Sequence, residues 1–196
     1  RTLTNNVALL GSNQNGDFRL SYTGLDQTGI VPNTDLRRNT ISFGGGYNLT
    51  KKFTARAFVS YIKSESDNRP SISYGTENIM YLFNCWLPRS VDVSDMKDYW
   101  MRGLEGRRQF GFNYNYHDNP WFTMYENTNG QYVDRIIGNI ALKYDFTPEL
   151  SLMVRTATDF SNERRQYRRA FSTQRFPFGQ YREAKVYSEE RNSDFL

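Results

Sequence analysis

The most constraining feature of this chain is a long alternation of apolar and polar residues on both sides of a tight turn. In residues 134–160, DRIIGNIALKYDFTPELSLMVRTATDF, one parity carries Ile136, Gly138, Ile140, Leu142 and Tyr144. The other carries Asn139, Ala141, Lys143 and Asp145. After DFTPE the alternation resumes, with Leu150, Leu152 and Val154 against Ser151, Met153 and Arg155. A period of two marks a β-strand, and Thr147-Pro148-Glu149 is turn chemistry. Each arm is about 11 residues long, against ~5–6 for an ordinary soluble strand and ~9–11 for one that crosses a bilayer at a tilt.

The same pattern recurs upstream. Val7, Leu9 and Gly11 lead to Asn15-Gly16, and Phe18, Leu20 and Tyr22 continue beyond it. Ile41, Phe43, Gly45, Tyr47 and Leu49 precede Thr50-Lys51-Lys52, followed by Phe53, Ala55, Ala57, Val59 and Tyr61. Six strands are expected, at about 5–12, 17–25, 38–49, 53–64, 134–145 and 150–161. Short turns at 13–17, 50–52 and 146–149 alternate with longer segments at 26–37, 65–133 and 161–190. Short turns at one end and long loops at the other are the topology of outer-membrane barrels. Within 65–133, the stretch DVSDMKDYWMRG reads as a short helix with Ser94 as its N-cap and Gly103 near its end.

Composition bears on what such strands can be. Mean hydropathy is −0.74 and no run of ~18 apolar residues occurs, which excludes a membrane-spanning helix. A transmembrane barrel survives that test, because its strands are half polar. The balance of 25 Lys+Arg over 21 Asp+Glu is small and unclustered for a nucleic-acid binder. Cys85 and His117 each stand alone, so there is no disulfide framework and no cysteine- or histidine-rich metal site. Neither a Gly-x-Ser-x-Gly nor a Walker motif occurs, which speaks against an enzyme, although carboxylate pairs leave a glycosidase open. No cofactor is expected.

Two architectures fit the alternation. In a barrel, the parity of Ile41, Phe43, Tyr47, Val59, Tyr61, Ile136, Ile140, Leu142, Leu152 and Val154 faces lipid. Arg19, Arg56, Asn139, Lys143 and Arg155 then line a wet lumen, and Tyr22, Tyr47, Tyr61 and Tyr144 stand at interfacial depth. In a soluble carbohydrate-binding β-sandwich the apolar parity is simply the core. Six strands cannot close a membrane barrel, whose smallest natural form has about 8, so under the first architecture residues 1–196 are one part of a larger barrel. The start at Arg1 and the end at Leu196 agree with a piece of something longer.

The long loops hold the candidate binding residues. Tyr114, Tyr116, His117, Trp121, Phe122 and Tyr125 are interleaved with Asn113, Asn115, Asn119 and Asn127. Aromatic faces cover C–H surfaces while amides satisfy hydroxyls or peptide groups, which suits a sugar or peptide; the same rings can equally form the loop's own core. The run Arg164, Arg165, Arg168, Arg169 offers charge to acidic ligands or lipopolysaccharide phosphates, or forms a solvated rim with Glu163.

NNVALLGSNQNGDFRLSYTGLDQTGIVPNTDLRRNTISFGGGYNLT resembles the start of the barrel in SusC/RagA-like TonB-dependent outer-membrane transporters of Bacteroidetes. HDNPWFTMYENTNGQYVDRIIGNIALKYDFTPELSLMVRTATDF is similar to a following region of the same family. The resemblance runs in order over essentially the whole chain. It implies an all-β fold: about six strands of an antiparallel, 22-stranded transmembrane barrel with long extracellular loops. The plug and TonB box lie outside this sequence. It also implies import of a glycan or a peptide with a SusD-like lipoprotein, driven through the TonB complex. The bacterial outer membrane is the implied location, with lipid and lipopolysaccharide as neighbours.

Overall fold

The computed structural model describes residues 1–72, 74–113 and 115–196. Seven strands run in chain order as one open antiparallel sheet: β1 (Thr2–Ser12), β2 (Gly16–Thr28), β3 (Asp35–Asn48), β4 (Phe53–Ser66), β5 (Asn129–Asp145), β6 (Ser151–Phe171) and β7 (Phe178–Phe195). Neighbours in sequence are neighbours in the sheet, so β1 and β7 are its edges. The all-β antiparallel expectation holds. No helix among the described residues is long and apolar enough to cross a membrane.

The segment 161–190, expected as a loop, is strand for most of its length. β6 continues to Phe171, and β7 returns alongside it from Phe178. The alternation fails there because both faces are polar. Pairing is held instead by cross-strand contacts such as Arg182 over the Tyr167 ring at 4.8 Å. Ser172, at φ 76°, turns the tip, and the rings of Phe171 and Phe178 meet edge-on at 6.4 Å.

One device closes all three short turns. The side-chain oxygen of Asn13 accepts the N–H of Asn15 and Gly16, that of Thr50 accepts Lys52 and Phe53, and that of Thr147 accepts Glu149 and Leu150. Local side-chain bonds of this kind hold a turn without a left-handed residue. Gly16 therefore serves another purpose than turning: a Cβ there would lie 2.6 Å from the Tyr47 ring.

The register fixes a stagger. The pair closing the first hairpin, Ser12–Asp17, lies in line with Gly46, Arg56 and Ala141. The pair closing the second, Asn48–Thr54, lies two residues further along, in line with Lys143 and Met153. The pair closing the third, Asp145–Ser151, is two residues further again. Two residues per hairpin is one residue per strand. Where the turns share a plane, a rise of ~3.4 Å against a strand spacing of ~4.8 Å tilts the strands by about 35°. Transmembrane barrel strands tilt by ~35–45°.

Register also sorts the faces. Val7, Tyr22, Ile41, Tyr61, Ile136 and Phe160 form one continuous cross-strand row, and Leu9, Leu20, Phe43 and Val59 form the next. These side chains are uncovered: Val7 is 71% exposed and Leu9 60%. The fully buried apolar core lies elsewhere, in the connection from β4 to β5.

Candidate functional site

Residues 67–128 fold on themselves through two short helices, α1 (Ile79–Cys85) and α2 (Pro120–Glu126). Asn78 caps α1 by accepting the N–H of Met80 and Tyr81. Asn119 caps α2 by accepting Trp121 and Phe122, with Pro120 where a missing N–H costs nothing. Phe122, Leu82, Ile79 and Met124 are buried between the helices, and Trp100 meets Phe122 edge-on at 5.3 Å. Asn119 is wholly buried and satisfied, its amide donating to the carbonyls of Met96 and Phe110. The helix expected at 92–103 is only a 3₁₀ turn, Val93–Met96, and its cap is Asp92 rather than Ser94. Asp92 takes the N–H and hydroxyl of Ser94, which holds its carboxyl below the usual range.

This connection is stapled to the strand ends. Arg169, on the polar parity of β6 and almost fully buried, forks onto Glu77 at 2.9 and 2.6 Å and also donates to Thr128 and Asn129. Gln109 donates to Asp118 at 2.6 Å and to the carbonyl of Ser172 at the β6–β7 tip. Asp118 also accepts the N–H of Gln174, and burial pushes its carboxyl up. Asn68 donates to the carbonyls of Asn33 and Met124, tying in the β2–β3 turn. Tyr99 donates to Glu126 at 2.9 Å; burial, with that bond, pushes its hydroxyl up to about 12.

The residues singled out for ligand binding divide by environment. Tyr114 lies outside the described residues. His117 is fully buried among the rings of Trp86, Phe112 and Tyr116; its ring nitrogens have no partner among the described residues, and burial lowers its pKa. Asn127 is buried and committed to the Ala170 N–H and the Thr173 hydroxyl. Tyr116 and Tyr125 are exposed. Trp121 stacks on Tyr125 at 6.0 Å with the Lys97 ammonium 5.1 Å from its ring, and its indole N–H donates to the Val93 carbonyl. Trp86 was missed: half-exposed, with its ring 6.0 Å from Tyr116, it pairs across thirty residues of sequence, where only tertiary folding joins them.

The five residues expected to line a lumen share the polar parity. Arg56 meets Asp17 at 3.7 Å, Lys143 meets Asp145 at 2.8 Å, and Arg155 donates to Asp194 at 3.0 Å. Arg19 and Asn139 have no side-chain partner among the described residues. Gly44 lies beside Arg19 and Gly46 beside Arg56 in register. A Cβ on Gly46 would meet the Arg56 side chain at 3.0 Å, so the glycine lets that guanidinium lie across the strand.

Among the described residues, no three His, Cys, Asp or Glu side chains gather as a metal site. The class defined so far is an open antiparallel sheet with one face apolar across β1 to β6 and charged on β7 at Glu189 and Arg191, one charge-paired polar face, and a folded connection over its long-loop end. A scan against protein-family models and a search of curated proteins found no match to the chain.

Proposed function

We propose that the chain is a run of strands from a TonB-dependent, SusC-like importer in the bacterial outer membrane, with residues 67–128 outside the cell. One observation supports this above the others: three short turns step by one residue per strand beneath an apolar face left uncovered. Tilted strands in lipid need both features, whereas a water-soluble sheet gains nothing from a large exposed apolar face. In this reading the cargo is an oligosaccharide or a peptide. Its faces and edges meet the ring pairs Trp121–Tyr125 and Trp86–Tyr116, and it then passes along Arg19, Arg56, Asn139, Lys143 and Arg155. A SusD-like lipoprotein covers the mouth, and plug and TonB-contacting segments come from the rest of the full-length protein. Transport is the whole activity; no catalytic step is assigned.

The test is uptake of labelled oligosaccharides and oligopeptides by cells carrying the full-length protein. Uptake should require this protein, and a protonophore should abolish it. A protein recovered in the soluble fraction, or uptake unchanged by its deletion, contradicts the proposal.

A further inference from the structure

We propose that the outward face of the β5–β7 extension holds the phosphomonoester headgroup of an outer-leaflet lipid; this rests on the membrane reading above. Strand alternation splits the basic run. Arg165 and Arg169 lie on the polar parity and are committed to Glu163 and Glu77. Arg164 and Arg168 lie on the parity of Val154 and Phe160, are exposed, and have no ion-pair partner among the described residues.

Arg164 is directly opposite Lys185 in the β6–β7 register. Like charges facing each other across a pair of strands are destabilising. Glu183 pairs with Lys185 at 3.8 Å and relieves part of this repulsion, while Glu65 is taken by Lys63 at 2.9 Å and Asp134 accepts the Tyr61 hydroxyl, so Arg164 keeps no carboxylate at ion-pair distance among the described residues. On its other side Arg164 lies over the Tyr132 ring at 4.7 Å, which fixes the guanidinium on this face. A cleft here is lined by Lys63, Arg164 and Lys185 together with Tyr132 and the engaged carboxylates of Glu65 and Asp134. Arg164 is four residues beyond Phe160, the last large outward apolar residue of β6. That is about 13 Å of strand, a height from which a long side chain reaches back to headgroup level. A phosphate between Arg164 and Lys185 would accept bidentate bonds from the guanidinium and supply the anionic partner that Arg164 lacks among the described residues.

The experiment places the full-length protein in nanodiscs of phosphatidylcholine doped with phosphatidic acid and measures lipid retained after detergent exchange. Wild type should retain phosphatidic acid over phosphatidylcholine by about tenfold, the scale of one or two charge-assisted bonds. Arg164→Ala with Arg168→Ala should remove most of that preference, and Arg165→Gln should keep it. Equal retention by the double variant overturns the site while the membrane reading stands. Inorganic phosphate held as tightly in micelles overturns the lipid assignment. Failure to enter nanodiscs at all removes the membrane reading and the site together.

Discussion

The sheet and the 67–128 connection solve opposite problems with the same residue types. In the sheet, Ile41, Phe43, Ile140 and Leu142 are uncovered while charges pair along the other face. In the connection, Phe122 and Leu82 are sealed and the buried polar groups include the amides of Asn119, Asn127 and Gln109, the Asp118 carboxylate and the His117 ring. The connection carries its own core and hydrogen bonds; the sheet's apolar face waits for an environment to cover it. Stability of the first should therefore answer to packing, and stability of the second to solvent.

The largest effect should come from Phe122→Ala, which opens a cavity in the connection's core and costs about 3–5 kcal/mol locally. Limited proteolysis should then cut within 67–128 while the strands stay protected; cleavage across β5 and β6 would show that the two regions are not separate. Arg169→Gln leaves Glu77 half-buried without its cation, a loss of up to about 3–5 kcal/mol for breaking such a pair. Hydrogen exchange should rise at Thr128 and in α1, with no change near the short turns. Ile140→Arg, on the outward face, should cost about 2–4 kcal/mol in a bilayer. The neighbouring Asn139→Arg should cost far less, and equal effects on urea unfolding in liposomes would erase the distinction between the faces.

Acid gives the smallest and most local effect. Burial holds the His117 pKa below its unfolded value of about 6.5, so the unfolded segment takes up the proton first. Its contribution is fully present above that pH and is lost as pH falls through the depressed folded value. Asp118 has the opposite sign: its pKa is raised, so its contribution is present below its unfolded value and lost as pH rises through the folded one. Proteolysis of 67–128 should therefore quicken below about pH 6.5, and His117→Phe should remove that quickening. An unchanged pH profile in the variant would assign the effect elsewhere.

The same contrast explains what the sequence revealed. Where one face is apolar, as at Ile136 to Tyr144, alternation marked the strand and its parity. Above Phe160 both faces are wet, and Arg164 to Arg169 read as a loop although backbone pairing continues to Phe171. Helix α1 escaped notice because seven residues, IMYLFNC, are too few to display a helical period. The chemistry of His117 and Asn127 suits a ligand, but burial is a tertiary property: one lies in a ring cluster and the other accepts the Ala170 N–H. The stagger was invisible in sequence, since it needs the register of three hairpins at once.

The most direct test is cysteine scanning of β5 from Ile136 to Tyr144 in the membrane-assembled protein, after Cys85→Ser, with a fluorophore quenched by either brominated lipid or aqueous iodide. Lipid quenching should peak at 136, 138, 140, 142 and 144, and iodide quenching at 137, 139, 141 and 143. Uniform quenching along the strand, or even positions reached by neither agent, would mean that the apolar face is covered by protein and that the sheet does not meet lipid.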